Sequence, residues 1–83
     1  MSKGRVLVVD DEQSNRRAVG RALTTRGYRV ELATDGEEAL AVAATFQPDL
    51  VVLDLNLPAL DGLEVCRQLR SWSSVPILVL SGA

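Results

Sequence analysis

Histidine is absent from this chain of 83 residues, and cysteine occurs once, at Cys66. With no imidazole to activate a thiol or share a metal, Cys66 reads as a small hydrophobe on a helix face turned to the core. A single cysteine cannot close an internal disulfide, so a reducing compartment suits the chain. No apolar run approaches the ~20 residues of a membrane-spanning helix. The first residues also lack the long apolar segment of a signal peptide, and the expectation is a cytoplasmic protein without a membrane partner. Neither sign of charge dominates: Lys and Arg number 9, Asp and Glu 11, and the formal charge is -2. That balance gives this segment no electrostatic reason to bind nucleic acid directly. Internal repeats and low-complexity stretches are missing as well. The length suits one small domain with a single core.

The chain does contain two short aliphatic runs that each stop at acid. Leu50-Val51-Val52-Leu53 has no alternating polar face, the pattern of a strand buried on both sides within a parallel sheet, and it ends at Asp54. Arg5-Val6-Leu7-Val8-Val9 repeats the pattern and ends at Asp10, Asp11 and Glu12. An unpaired carboxylate avoids a buried strand, so these acids mark the strands' C-terminal mouths, where α/β sheets carry ligands. Helix-like sequence separates successive strands, which predicts parallel pairing and brings the acidic ends to one edge. Carboxylates 4 Å apart repel by about 4 kcal/mol per pair at an effective dielectric near 20. Either one of them keeps a proton or a hard divalent cation sits among them, and oxygen ligands of this kind suit Mg²⁺.

Taken in order, the pattern reads β-α-β-α-β-α-β. Polar Asp11 to Asn15 opens a first helix with Ala18, Val19, Ala22 and Leu23 as its apolar face, ending at Gly27. Tyr28 to Ala33 alternates apolar and polar residues and predicts an edge strand. Asp35 followed by Glu38 is a capping-box pattern, and Ala39, Leu40, Ala43 and Ala44 give the second helix one apolar face up to about Phe46. Asn56, Pro58, Asp61 and Gly62 form a loop, with Asp61 as expected N-cap and Glu64 as its box partner. Leu63, Val65, Cys66 and Leu69 then mark a third helix. Trp72 is expected to cover core at its end. Val75 to Leu80 supplies a fourth aliphatic strand, closed by Ser81-Gly82-Ala83.

Any one strand-end acid can simply cap the next helix, but Asp10, Asp11 and Asp54 together at the ends of two aliphatic strands point to a carboxylate site. Glu12 reads as a dipole-stabilising surface residue. Ser81 would place a hydroxyl at the same edge, and a turn residue or helix cap is an equal reading of it. The runs Val8-Val9-Asp10-Asp11-Glu12, Val52 to Pro58 with Asp61-Gly62, and Val79 to Ala83 resemble, in order and spacing, the motifs of the response-regulator receiver domain of two-component signalling. The resemblance implies an α/β, three-layer, flavodoxin-like parallel sheet of order 2-1-3-4. Residues 1-83 would be the N-terminal two-thirds of one receiver domain, without the family's fifth strand, its lysine and the last two helices. It further implies that Asp54 accepts a phosphoryl group from a sensor histidine kinase. Asp10, Asp11, Asp54 and the main-chain carbonyl of Asn56 would hold Mg²⁺, and Ser81 would be the switch hydroxyl.

Three other readings compete with this one. A phosphohydrolase of the aspartyl-phosphate type places a second acid two positions after the nucleophile, where this chain has Asn56. A dinucleotide-binding module needs glycines after the first strand, and Asp10 and Asp11 stand there instead. The third is a receiver-like fragment inactive in signalling that serves as a self-associating structural unit. Its support is the aliphatic run Ile77 to Leu80, which becomes a sheet edge guarded only by Pro76 and Gly82.

Overall fold

A computed structural model describes residues 3–54 and 62–80. Four strands and three helices alternate: β1 (Arg5–Val9), α1 (Gln13–Thr25), β2 (Arg29–Ala33), α2 (Gly36–Phe46), β3 (Leu50–Asp54), α3 (Gly62–Arg70) and β4 (Ile77–Leu80). All strand pairs are parallel and the order is β2-β1-β3-β4, the flavodoxin-like arrangement. The two aliphatic runs therefore lie at the centre. Because side chains alternate along a strand, each run feeds two cores. Leu7, Val9, Val51 and Leu53 pack with Ala39 and Ala43 of α2 and Val65 and Leu69 of α3. Val6, Val8 and Val52 pack on the opposite face against Val19 and Leu23 of α1. The result is three layers. Among the described residues no helix is long and apolar enough to cross a membrane.

Local signals act as the sequence leads one to expect at several points. Gly27 takes a φ of +97°, which lets α1 end and the chain turn into β2. At α2 the Asp35 carboxylate accepts from the Glu38 N–H at 2.8 Å, while Glu38 reaches back to the Thr34 N–H at 2.7 Å. This is a capping box whose return bond lands one residue early. Left-handed Gln47, with φ of 50°, closes α2 ahead of Pro48.

Three helix faces differ from the expected ones. Ala18 and Ala22 are exposed, and α1 instead buries Gly20, with Val19 and Leu23 partly covered. The cause is a close approach: a Cβ on Gly20 would lie 3.1 Å from Leu32 Cδ2 and 3.7 Å from Val30 Cγ1. The helix leans on β2 through its glycine, which turns the alanines outward. Ala44 is exposed on α2. Leu63 is 71% exposed on α3, where Val65 and Leu69 take the buried positions and Cys66 packs at the margin of the core. Trp72 remains half exposed, bordering Ala43, Pro48 and Val75. The expected Asp61 cap lies outside the described residues. Glu64 pairs with Arg67 through two bonds of 2.5 and 2.8 Å.

Gly20 gives a test of the α1 and β2 contact. Replacing a helical glycine by alanine favours the fold by about 0.5 kcal/mol when the new methyl fits, and the opposing atom here is the tip of a partly exposed leucine that can swing away. Gly20→Ala is expected to raise the urea midpoint slightly. Gly20→Leu is expected to lower stability by about 2 kcal/mol, because a full side chain forces the helix off the strand. Equal midpoints for the two variants would show that the approach is not tight.

Candidate metal and phosphoryl site

The site is built by register. Val9 pairs with Leu53 in the β1 and β3 ladder, so the residues that follow, Asp10 and Asp54, emerge beside each other at the C-terminal edge. Asp11 joins them from the turn into α1. One carboxylate oxygen from each of Asp10, Asp11 and Asp54 lies within 4.8 Å of the others. The three differ in exposure: Asp10 is buried at 5% exposure, Asp54 is intermediate and Asp11 is exposed.

Asp10 is the most constrained of the set. Its N–H donates to the Ala33 carbonyl of β2 at 3.1 Å, carrying the β1 and β2 pairing one residue beyond the strand. Its carboxylate Oδ1 accepts from the Glu12 N–H at 2.9 Å, closing a tight turn. Its carbonyl accepts from Arg16 Nη1 at 2.9 Å. Burial raises the Asp10 pKa above the usual carboxylate value, the Glu12 N–H opposes that rise, and the charges of Asp54, Asp11 and Glu12 add to it. Glu12 stands at the N-cap of α1, exposed, and its carboxylate accepts from Ser14 Oγ and Asn15 Nδ2. It is a helix-start residue, as its sequence position implies.

The structure thus brings together the three carboxylates that the sequence singles out. Asn56 and Ser81, with Pro58 and Gly82, lie outside the described residues. The donor set is all oxygen and strongly anionic, with two members open to solvent, which suits a hard cation that keeps part of its water shell. No thiol or imidazole competes for a softer metal. Sequence reasoning missed the contact from Arg16 to the Asp10 carbonyl. A signal for it exists, because an arginine in the first turn of a helix opposes the helix dipole and needs a compensating partner.

Comparison with known proteins agrees with this geometry. The response regulator receiver domain family matches residues 6–83. The response regulator MprA of Mycolicibacterium vanbaalenii is 58% identical over 78 residues, covering 93% of this chain and 34% of that protein. The chain therefore spans about a third of the length of the curated relatives it matches. Among solved structures, the N-terminal domain of a response regulator receiver protein from Methanoculleus marisnigri superposes with a TM-score of 0.93 at 32% identity, over 99% of this chain and 69% of that one. The chemotaxis response regulator CheY4 of Vibrio cholerae gives a TM-score of 0.88 at 40% identity, over 95% of this chain and 67% of that one. The family match, the sequence identity and the superposed fold lead to one conclusion: the chain belongs to the response-regulator receiver family of two-component systems.

Proposed function

We propose that the acidic edge is a Mg²⁺-dependent phosphoryl-acceptor site, with Asp54 as the residue that is phosphorylated. The observation that carries this reading is the convergence of Asp10, Asp11 and Asp54 within 4.8 Å. Asp11 and Asp54 would hold the metal directly, Asp10 would act at least partly through water, and the Asn56 carbonyl would complete the protein's share. A cation held there would supply positive charge against the carboxylates and the incoming phosphoryl oxygens. A carboxylate oxygen of Asp54 then attacks phosphorus in line. The bond from phosphorus to the donor breaks, and its electron pair leaves with the imidazole of a sensor histidine kinase or with the carboxylate of a small acyl phosphate. The new group carries roughly -1.5 to -2 charge and strong acceptor oxygens, which the Ser81 hydroxyl meets as the switch. The chain is a phosphoryl acceptor that assists its own transfer rather than an enzyme for an external substrate, and its setting is the cytoplasm.

A second reading, self-association, concerns β4. Leu78, Val79 and Leu80 are 53%, 42% and 39% exposed, an apolar run on a strand at the end of the sheet order. We propose that two copies of this chain pair through that edge about a two-fold axis, each satisfying the other's open strand. Light scattering over a concentration series is expected to show a dimer that Val79→Lys returns to a monomer. A compact monomer at high concentration removes this proposal.

Two further outcomes test the site itself. Incubation with acetyl phosphate and Mg²⁺ is expected to add the mass of one phosphoryl group, lost in Asp54→Ala and on chelation but kept in Ser81→Ala. A mass shift that persists in Asp54→Ala would overturn the acceptor assignment.

The second outcome follows from the sign of the Asp10 shift. A carboxyl group whose folded pKa is raised binds its proton more tightly in the fold, so its charged form costs stability as pH rises from the unfolded value of 3.8 through the folded one. The cost therefore grows as pH rises through that range. Asp10→Asn keeps an oxygen for the Glu12 N–H and removes the charge, so metal-free Asp10→Asn is expected to melt above the wild type at neutral pH. Saturating Mg²⁺ should narrow the gap. A lower melting temperature for metal-free Asp10→Asn would show that the charge is already compensated.

A further inference from the structure

Arg16 takes no part in the phosphoryl chemistry above, yet it reaches back across six positions to the corner that carries the acids. Its Nη1 donates to the Asp10 carbonyl at 2.9 Å in a partly buried contact. Asp10 stands one residue past β1, beyond the last registered pair of that strand with β2 (Val9 with Ala33), the neighbour to which its own N–H donates. A sheltered carbonyl without a donor costs about as much as a lost hydrogen bond, and Arg16 meets that need. The helix itself disfavours a cation in its first turn. The carbonyl bond is the compensating interaction.

That carbonyl belongs to the planar peptide joining Asp10 to Asp11, so holding it sets the orientation of the whole peptide and of the Cα that carries the Asp11 carboxylate. The neighbouring peptide is held as well, by the Glu12 N–H on Asp10 Oδ1 at 2.9 Å. We propose that Arg16 is a positioning residue for the acid site: it locks the Asp10–Asp11 peptide and thereby aims Asp11 at the cation. This rests on the reading of the acid cluster as a Mg²⁺ site. Arg16 does not act by its charge, and the two modes have opposite signs. A guanidinium near a cation site repels the cation, so removing a mere charge tightens Mg²⁺ binding, whereas removing a positioning contact weakens it.

The test is a Mg²⁺ titration of the isotopically labelled chain followed by the Asp11 and Glu12 amide shifts, together with metal-free hydrogen exchange of the Glu12 amide. Arg16→Ala is expected to weaken Mg²⁺ affinity about tenfold, in line with other residues that support metal ligands, and to speed Glu12 exchange. Arg16→Lys restores a donor and is expected to bring both readouts back most of the way. Arg17→Ala removes the same charge from an exposed neighbour and should leave affinity unchanged or slightly tighter. Affinity in Arg16→Ala equal to or tighter than wild type overturns the proposal, as does a loss that Lys does not restore. Should the wild type show no saturable shift, the Mg²⁺ reading is what fails. Glu12 exchange then decides the role of Arg16: unchanged exchange in Arg16→Ala overturns it, and faster exchange that Lys reverses supports it.

Discussion

Pairing of Val9 with Leu53 across the middle of the sheet fixes where the two central strands end, and so where Asp10 and Asp54 meet. A parallel strand buried on both faces has little freedom of register, because a slip of one residue turns every side chain to the wrong layer. Here Val6, Val8 and Val52 are committed to the α1 side and Leu7, Val9, Val51 and Leu53 to the side of α2 and α3. Aliphatic packing on two faces holds the carboxylates together against their own repulsion. The chemistry at the edge depends on the hydrophobic order beneath it.

The strain this creates is concentrated at Asp10. Its main-chain N–H, main-chain carbonyl and carboxylate are each engaged, by Ala33, Arg16 and Glu12 respectively. Such a corner arrives preorganised. The cost of this arrangement is a buried carboxyl group whose proton is held more tightly than usual. Asp11 and Asp54 keep more solvent and form the open side of the cluster.

Cover is uneven around the sheet. β1 and β3 are enclosed, whereas β4 leaves Leu78 and Leu80 open on the α1 side and Val79 open on the other. The outer face of α1, with Ala18 and Ala22 between Arg17 and Arg21, is likewise uncovered. The chain spans about two-thirds of the receiver structures it superposes on.

Runs of aliphatic residues ending in acid, a glycine after the first helix and the Asp35 and Glu38 pair were enough by themselves to determine the alternation of strands and helices, the parallel sheet and the three candidate carboxylates. Those signals are local: periodicity, capping and the avoidance of buried charge are each decided within a few residues. Orientation of the helices was not. Gly20 rather than Ala18 or Ala22 faces the sheet because α1 approaches β2 closely, and Leu63 faces solvent because Val65 and Leu69 already fill the core. The hold of Arg16 on the Asp10 carbonyl likewise depends on how the helix leaves the strand. Contacts of this kind depend on distances between elements, which residue order leaves open and three-dimensional packing decides.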